Sequence, residues 1–207
     1  MSQKRKNRSE IDVPLDRDSF MQSMLRDLAG VLQDSIGMQE ARGFVSIVGA
    51  RMGDTLNTLY RKSFGQSRLT ANQAVEAMVD LKQRIDGDFY VISQDETEIV
   101  LGNRKCPFGE NVRGRPALCM MTSNVFGRIT AENLGYARVE VEESFALGND
   151  RCLVRIGLNP QESDKEKASG REYFRIDEDP EWRPLTQRIA MRMQPLLFGA
   201  LFQSQSF

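Results

Sequence analysis

Sulfur and carboxylate are the chemistry this chain has to offer. Cysteines stand at positions 106, 119 and 152, in NRKCPFGENVRG, RPALCMMTSNVFG and LGNDRCLVRIG, and no histidine occurs anywhere among the 207 residues. A thiolate is a soft metal ligand and a redox-active nucleophile, whereas a missing imidazole removes the commonest metal ligand and general base. Twelve residues lie between Cys106 and Cys119 and thirty-two between Cys119 and Cys152. These are not the tight pairs of a zinc ribbon or a thioredoxin motif. If the fold brings them together, Cys106, Cys119 and Cys152 with Glu143, its neighbour Glu142 or a water would make a four-coordinate shell, and zinc is the cofactor such a set would take. Three is an odd number, which in a reducing compartment suits free thiols, ligands or a sensor better than structural disulfides. Each cysteine taken alone is equally at home as a small buried apolar residue.

Positioning such groups takes a core, and the chain is long enough to build one substantial domain. Its composition, 40% hydrophobic and 28% charged with a net charge of -1, is that of a globular protein and argues against a body that binds nucleic acid or a membrane surface. Lys4, Arg5, Lys6 and Arg8 crowd the start with no apolar stretch behind them to act as a signal-peptide core, so a cytoplasmic location is expected. Nothing approaches the ~20 consecutive apolar residues of a membrane-spanning helix.

Periodicity divides the chain into a flexible basic tail (1–17), an α/β body (18–160), a charged linker (161–179) and an apolar helical segment (180–207). Phe20, Met24, Leu28, Val31 and Leu32 form one helical stripe ending near Gly37, with Asp18 or Ser19 as the cap. A second helical pattern carries Phe44, Ile47, Val48, Met52, Leu56, Leu59 and Tyr60, with Gly43, Gly49 and Gly53 suited to close helix packing. Thr70 caps a third, whose mostly apolar face runs through Val75, Met78, Val79, Leu81, Lys82 and Ile85. The period then falls to two: Phe89–Ser93 and Glu98–Asn103 predict a hairpin. After the Gly- and Pro-rich loop at Cys106, a fourth helix begins near Cys119, and a second hairpin turns at Gly148–Asp150 and returns through Cys152. The expected architecture is α+β: N-terminal helices on a small antiparallel sheet, with an extra C-terminal helix. Cys119 in a first helical turn is the best candidate for an activated thiol, because free N–H groups and the helix dipole favour thiolate there.

The run CPFG, followed by PALCMMTSNVFGRITAENLGYARVEVEESFALGNDRC, resembles the methanogen output domain. That domain is related to the 4-vinyl-reductase and phenol-sensor ligand-binding domains of bacterial regulators. The resemblance implies an α/β sensor that dimerises through N-terminal helices and, in the phenol sensors, a structural zinc held by a glutamate and three cysteines beside a small-molecule pocket. Cys152 matches the last cysteine of that pattern. Ser144 stands where it expects a cysteine and Val141 where it expects the glutamate, so replacement ligands would have to come from Cys106, Cys119 and Glu142 or Glu143.

The leading functional reading is a signal-transduction protein that binds a small molecule or senses metal or redox state through its cysteines, placed ahead of an enzyme without excluding one. It would signal through its helices, as a homodimer, to a separate partner. Phe44, Tyr60, Met121, Val125 and Phe126 suit an apolar pocket wall, and equally a plain core. Two alternatives stand beside it. One is a cysteine-dependent hydrolase or reductase, for which no histidine is present to pair with the thiol. The other is a scaffold with structural cysteines.

Overall fold

The computed structural model describes residues 16–160 and 170–176. Helix α1 (Arg17–Ile36) starts two residues ahead of the expected caps. The Asp16 carboxylate accepts the Ser19 backbone N–H at 2.7 Å, and the Ser19 hydroxyl accepts the Asp16 N–H at 3.1 Å. Gly37 separates α1 from α2 (Met38–Phe64), which Gly65 ends in the left-handed conformation. Thr70 caps α3 (Ala71–Arg84) in a capping box with Gln73, as its sequence predicts. The chain then pleats into β1 (Phe89–Gln94) and β2 (Glu98–Asn103), and passes through two 3-10 turns at Gly109–Val112 and Pro116–Leu118. It continues as α4 (Cys119–Leu134), β3 (Tyr136–Glu143), β4 (Cys152–Gly157) and β5 (Arg171–Phe174).

The five strands form one sheet in the order β1-β2-β4-β3-β5, each neighbouring pair antiparallel. Two hairpins are therefore joined edge to edge through β2 and β4, in a register that sets Asn103 opposite Cys152. The register of β3 on β4 shifts between Val141 and Glu143, a bulge that bends β3 just before Ser144. Helices α3 and α4 cover one sheet face. Met78, Phe89, Ile99, Leu101, Phe126, Ile129, Val154 and Ile156 make the main core there, each large side chain contributing ~1.5–3 kcal/mol by leaving water.

Helix α2 lies on α4, and α1 on α2. The first contact depends on two glycines. A Cβ at Gly49 would sit 2.9 Å from Asn124 Cβ, and one at Gly53 2.7 Å from Arg128 Cβ, so α2 approaches α4 more closely than any side chain would permit. This bears out the helix-packing role read for Gly49 and Gly53, whereas Gly43, read the same way, has nothing within 4 Å of where its Cβ would stand. The apolar stripes of α1 and α2 turn the other way: Phe20, Leu28 and Val31, with Phe44, Val48, Met52 and Leu59, are all exposed.

The stretch assigned from composition to a charged linker contains a strand. In β5, Tyr173 enters the core against Gly127, its hydroxyl 3.0 Å from Ser123 Oγ. One buried aromatic at period two outweighs its charged neighbours. The expected C-terminal helix (180–207) and nearly all of the basic tail lie outside the described residues.

Candidate functional site

The three cysteines line one cavity. Cys106 comes from the loop after β2, Cys119 opens α4, and Cys152 opens β4. Between them stand Phe89, Asn103, Thr122, Val141, Ser144, Val154 and the apolar side chains of Phe108, Val112, Leu118, Phe145 and Ala146. The space among these side chains is about 430 Å3 when the open mouth is included, but its enclosed part is only about 30 Å3, room for one or two water molecules, so a larger occupant has to move the wall. Its walls are mostly carbon, with a few polar groups set among them.

Local sequence explains how the wall is built. Gly114, at φ 71, lets the loop double back so that its N–H reaches the Ala146 carbonyl at 3.0 Å, joining the loop before α4 to the one between β3 and β4. Helix α1 holds the same loop from outside. Gln22 Nε2 donates to the Pro107 carbonyl at 2.9 Å, and Arg26 Nη1 donates to the Asn111 and Arg113 carbonyls at 2.7 and 3.0 Å. The exposed stripe of α1 is thus one helix away from the cavity wall.

All three thiols are held in the protonated form. Burial pushes the Cys106 thiol up to about 11, against a weaker opposite pull from the Phe108 N–H. Burial likewise raises Cys119 despite its hydrogen bond with Ser144, and Cys152 despite the Phe145 N–H and the Asn103 amide, whose Nδ2 donates to Sγ at 3.8 Å. Cys119 does begin α4, as expected, but it is not an activated thiol. The 3-10 turn Pro116–Leu118 runs straight into the helix, and desolvation outweighs the dipole.

The position of each metal candidate decides the fit to zinc. Glu143 is held outside by Arg151, whose Nε and Nη2 donate to its two carboxylate oxygens at 2.7 and 3.0 Å, and this pairing lowers the Glu143 carboxyl. Glu142 is taken by Arg155 at 2.7 Å. Val141 and Ser144, at the positions where the phenol-sensor pattern has ligands, do line the cavity, but a valine cannot ligate and a serine hydroxyl is a poor ligand for zinc. Among the described residues no three of His, Cys, Asp and Glu approach closely enough to share a metal ion. The residues present do not fit a zinc site.

The five apolar candidates lie elsewhere, none among the cavity's lining residues. Phe44 is 55% exposed on α2. Met121 packs against Ala41, Val45 and Ala117, while Val125 and Phe126 belong to the main core. Tyr60 donates its hydroxyl to Asp80 Oδ2 at 2.6 Å, and burial with that carboxylate pushes its phenol up to about 12. Helical spacing marks an apolar side chain without saying which of core, cavity or surface receives it.

A residue whose meaning the sequence hid is Lys82. Its spacing puts it on the buried face of α3, four residues after Met78, and there it stays, 5% exposed. Nζ donates to Thr122 Oγ1 at 2.8 Å and lies 5.2 Å from the ring centroids of both Phe89 and Phe126. Those two rings meet edge to face at 5.4 Å. Desolvation pulls the ammonium down to about 8, with Cys106, Cys152 and Cys119 pulling the other way. The signal in the sequence was a lysine inside an otherwise apolar helical face.

The fold has precedents. It resembles the crystal structure of the phenol-responsive sensory domain of the transcription activator PoxR with phenol, at a TM-score of 0.56 and 14% identity over 75% of this chain and 80% of that one. A trafficking protein particle complex subunit 3 from Naegleria fowleri, covalently bound to palmitic acid, aligns with a TM-score of 0.47 and 15% identity over 68% of this chain and 96% of that one. Comparison with curated proteins gives no match. Among the described residues no helix is long and apolar enough to cross a membrane. The family model of methanogen output domain 1 matches residues 24–157, which run from within α1 to the end of β4 and include all three cysteines, and the chain belongs to that family.

Proposed function

We propose that this chain is a small-molecule sensory domain whose ligand chamber is the thiol-lined cavity. The observation that carries the reading is the cavity itself: apolar walls with a few polar anchors, Asn103, Thr122 and Ser144, at the junction of α4, the two hairpins and the loop that α1 clamps. The fold shared with a phenol-responsive sensory domain supports it. Protonated, half-buried thiols count against the cysteine-nucleophile alternative.

A ligand that fills the cavity presses on the Cys106–Val112 loop, and the loop is hydrogen-bonded to α1. The exposed apolar stripes of α1 and α2 are the surface through which the state of the cavity is passed on, as the interface of a homodimer that presents its output to a separate partner in the cytoplasm. The test is a thermal-stability screen with phenol, benzyl alcohol, benzoate, hexanoate and palmitate. The reading expects at least one compound to raise Tm in a concentration-dependent way, and Ala146→Phe, which fills the cavity from one wall, to abolish the rise. A flat response across the set, or a rise that survives in Ala146→Phe, counts against the cavity.

A further inference from the structure

The cavity is flanked by a positive charge that no carboxylate of the described residues answers. An ammonium carries three donors, and Lys82 Nζ has one hydrogen-bond acceptor, Thr122 Oγ1, and two ring faces. The titratable groups that face it are Cys106 from the loop after β2, Cys119 from α4 and Cys152 from β4. Burial keeps all three as neutral thiols, so none supplies the missing negative charge. Glu142, Glu143 and Asp88, each next in sequence to a lining residue, are turned to Arg155, Arg151 and Arg104. Two of the groups around Nζ, Phe89 and Thr122, are themselves cavity lining. Lys82 is not itself a lining residue: its Nζ stands behind Phe89 and Thr122, at the Thr122 end of the cavity.

Buried charges in proteins are paired or held by a ligand. We propose that the cavity takes a small organic acid, whose carboxylate meets Lys82 Nζ beside Thr122 Oγ1 while its apolar part lies against Phe108, Val112 and Phe145. This rests on the reading of the cavity as a ligand chamber and adds the chemical class of its occupant. A neutral ligand of the same shape would leave the buried ammonium without a countercharge, which is the source of the discrimination.

The test compares benzoate with benzyl alcohol, and hexanoate with hexanol, by isothermal titration calorimetry at neutral pH on the full chain. The inference expects an acid to bind about ten-fold or more tighter than its alcohol. It expects that preference to collapse to within about two-fold in Lys82→Met and to persist in Lys82→Arg, which keeps the charge. A second readout needs no variant. The acid's affinity for the wild-type protein falls as the pH rises past about 8, where Lys82 gives up its proton, while the alcohol's stays level. Alcohols that bind as tightly as their acids, or a preference that survives in Lys82→Met, would overturn the inference and leave the ligand chamber standing. Failure of all four compounds to bind would overturn both.

Discussion

Replacing Lys82 with methionine should stabilise the protein near neutral pH, and the gain should shrink as the pH rises. The ammonium is buried at the sheet side of α3, and desolvation lowers it from 10.5 to about 8. Because the folded value lies below the unfolded one, the unfolded chain binds the proton more tightly at every pH below about 10.5. The cost to folding is complete below about pH 8 and fades as the pH climbs between the two values. At ~1.4 kcal/mol for each pH unit of the gap, the charge costs roughly 3 kcal/mol near pH 7 and about 1 kcal/mol near pH 9.5. Methionine removes the charge with little change of volume, though it also gives up the Thr122 hydrogen bond and the contacts with Phe89 and Phe126, together ~1–2 kcal/mol. The net gain near pH 7 is therefore about 1–2 kcal/mol, and the part that depends on pH, roughly 2 kcal/mol between pH 7 and 9.5, is free of those losses. Urea denaturation of both proteins at the two pH values measures it, since thiols and surface groups common to both largely cancel in the difference. A difference in unfolding free energy that stays constant with pH would refute the reasoning, because it would mean that Lys82 titrates like an exposed lysine.

The thiols give a second prediction: alkylation of Cys106, Cys119 and Cys152 at neutral pH is slow and speeds up by orders of magnitude in denaturant, which mass-mapped labelling checks; one rapidly labelled cysteine in the native protein would count against the burial account. Metal analysis of protein purified without chelator, with thiols intact, is expected to find well under one zinc per chain, as the displacement of Glu143 by Arg151 and the serine at 144 imply. Gly53→Ala should cost about 1–3 kcal/mol in urea titration, since its Cβ would stand 2.7 Å from Arg128 Cβ; an unchanged midpoint would mean that α2 and α4 separate freely. Leu28→Asp, on the exposed stripe of α1, should shift sedimentation from dimer to monomer with little effect on Tm, and an unaltered sedimentation profile would remove α1 from the interface.

How much of this was legible in the sequence follows from which signals are local. The Thr70 cap, the glycine after α1 and the start of α4 near Cys119 are short-range patterns, and they place the elements within a few residues. Strand β5 was hidden because Tyr173 alone carries its buried face among charged neighbours. The cavity was harder to read, because its walls come from segments up to 65 residues apart, Phe89 to Val154, and no periodicity reports which faces meet. Phe44 and Val48 have the spacing of core residues, yet a helix stripe made for a second surface looks the same. The three cysteines do come to one cavity, but their shared location comes from the pairing of β2 with β4, which the sequence did not specify. Lys82 was visible as a lysine on an apolar face, and its importance appears only once Phe89, Thr122 and the thiols surround it.

The central claim, that the thiol-lined cavity is a ligand chamber, is tested most directly by the labelling rates of its own cysteines. Mass-mapped alkylation of Cys106, Cys119 and Cys152 would be followed with and without the compound that most raises Tm. A ligand seated among them should slow all three together, in proportion to occupancy. Stabilisation of the protein with the three rates unchanged would place the ligand elsewhere and contradict the account.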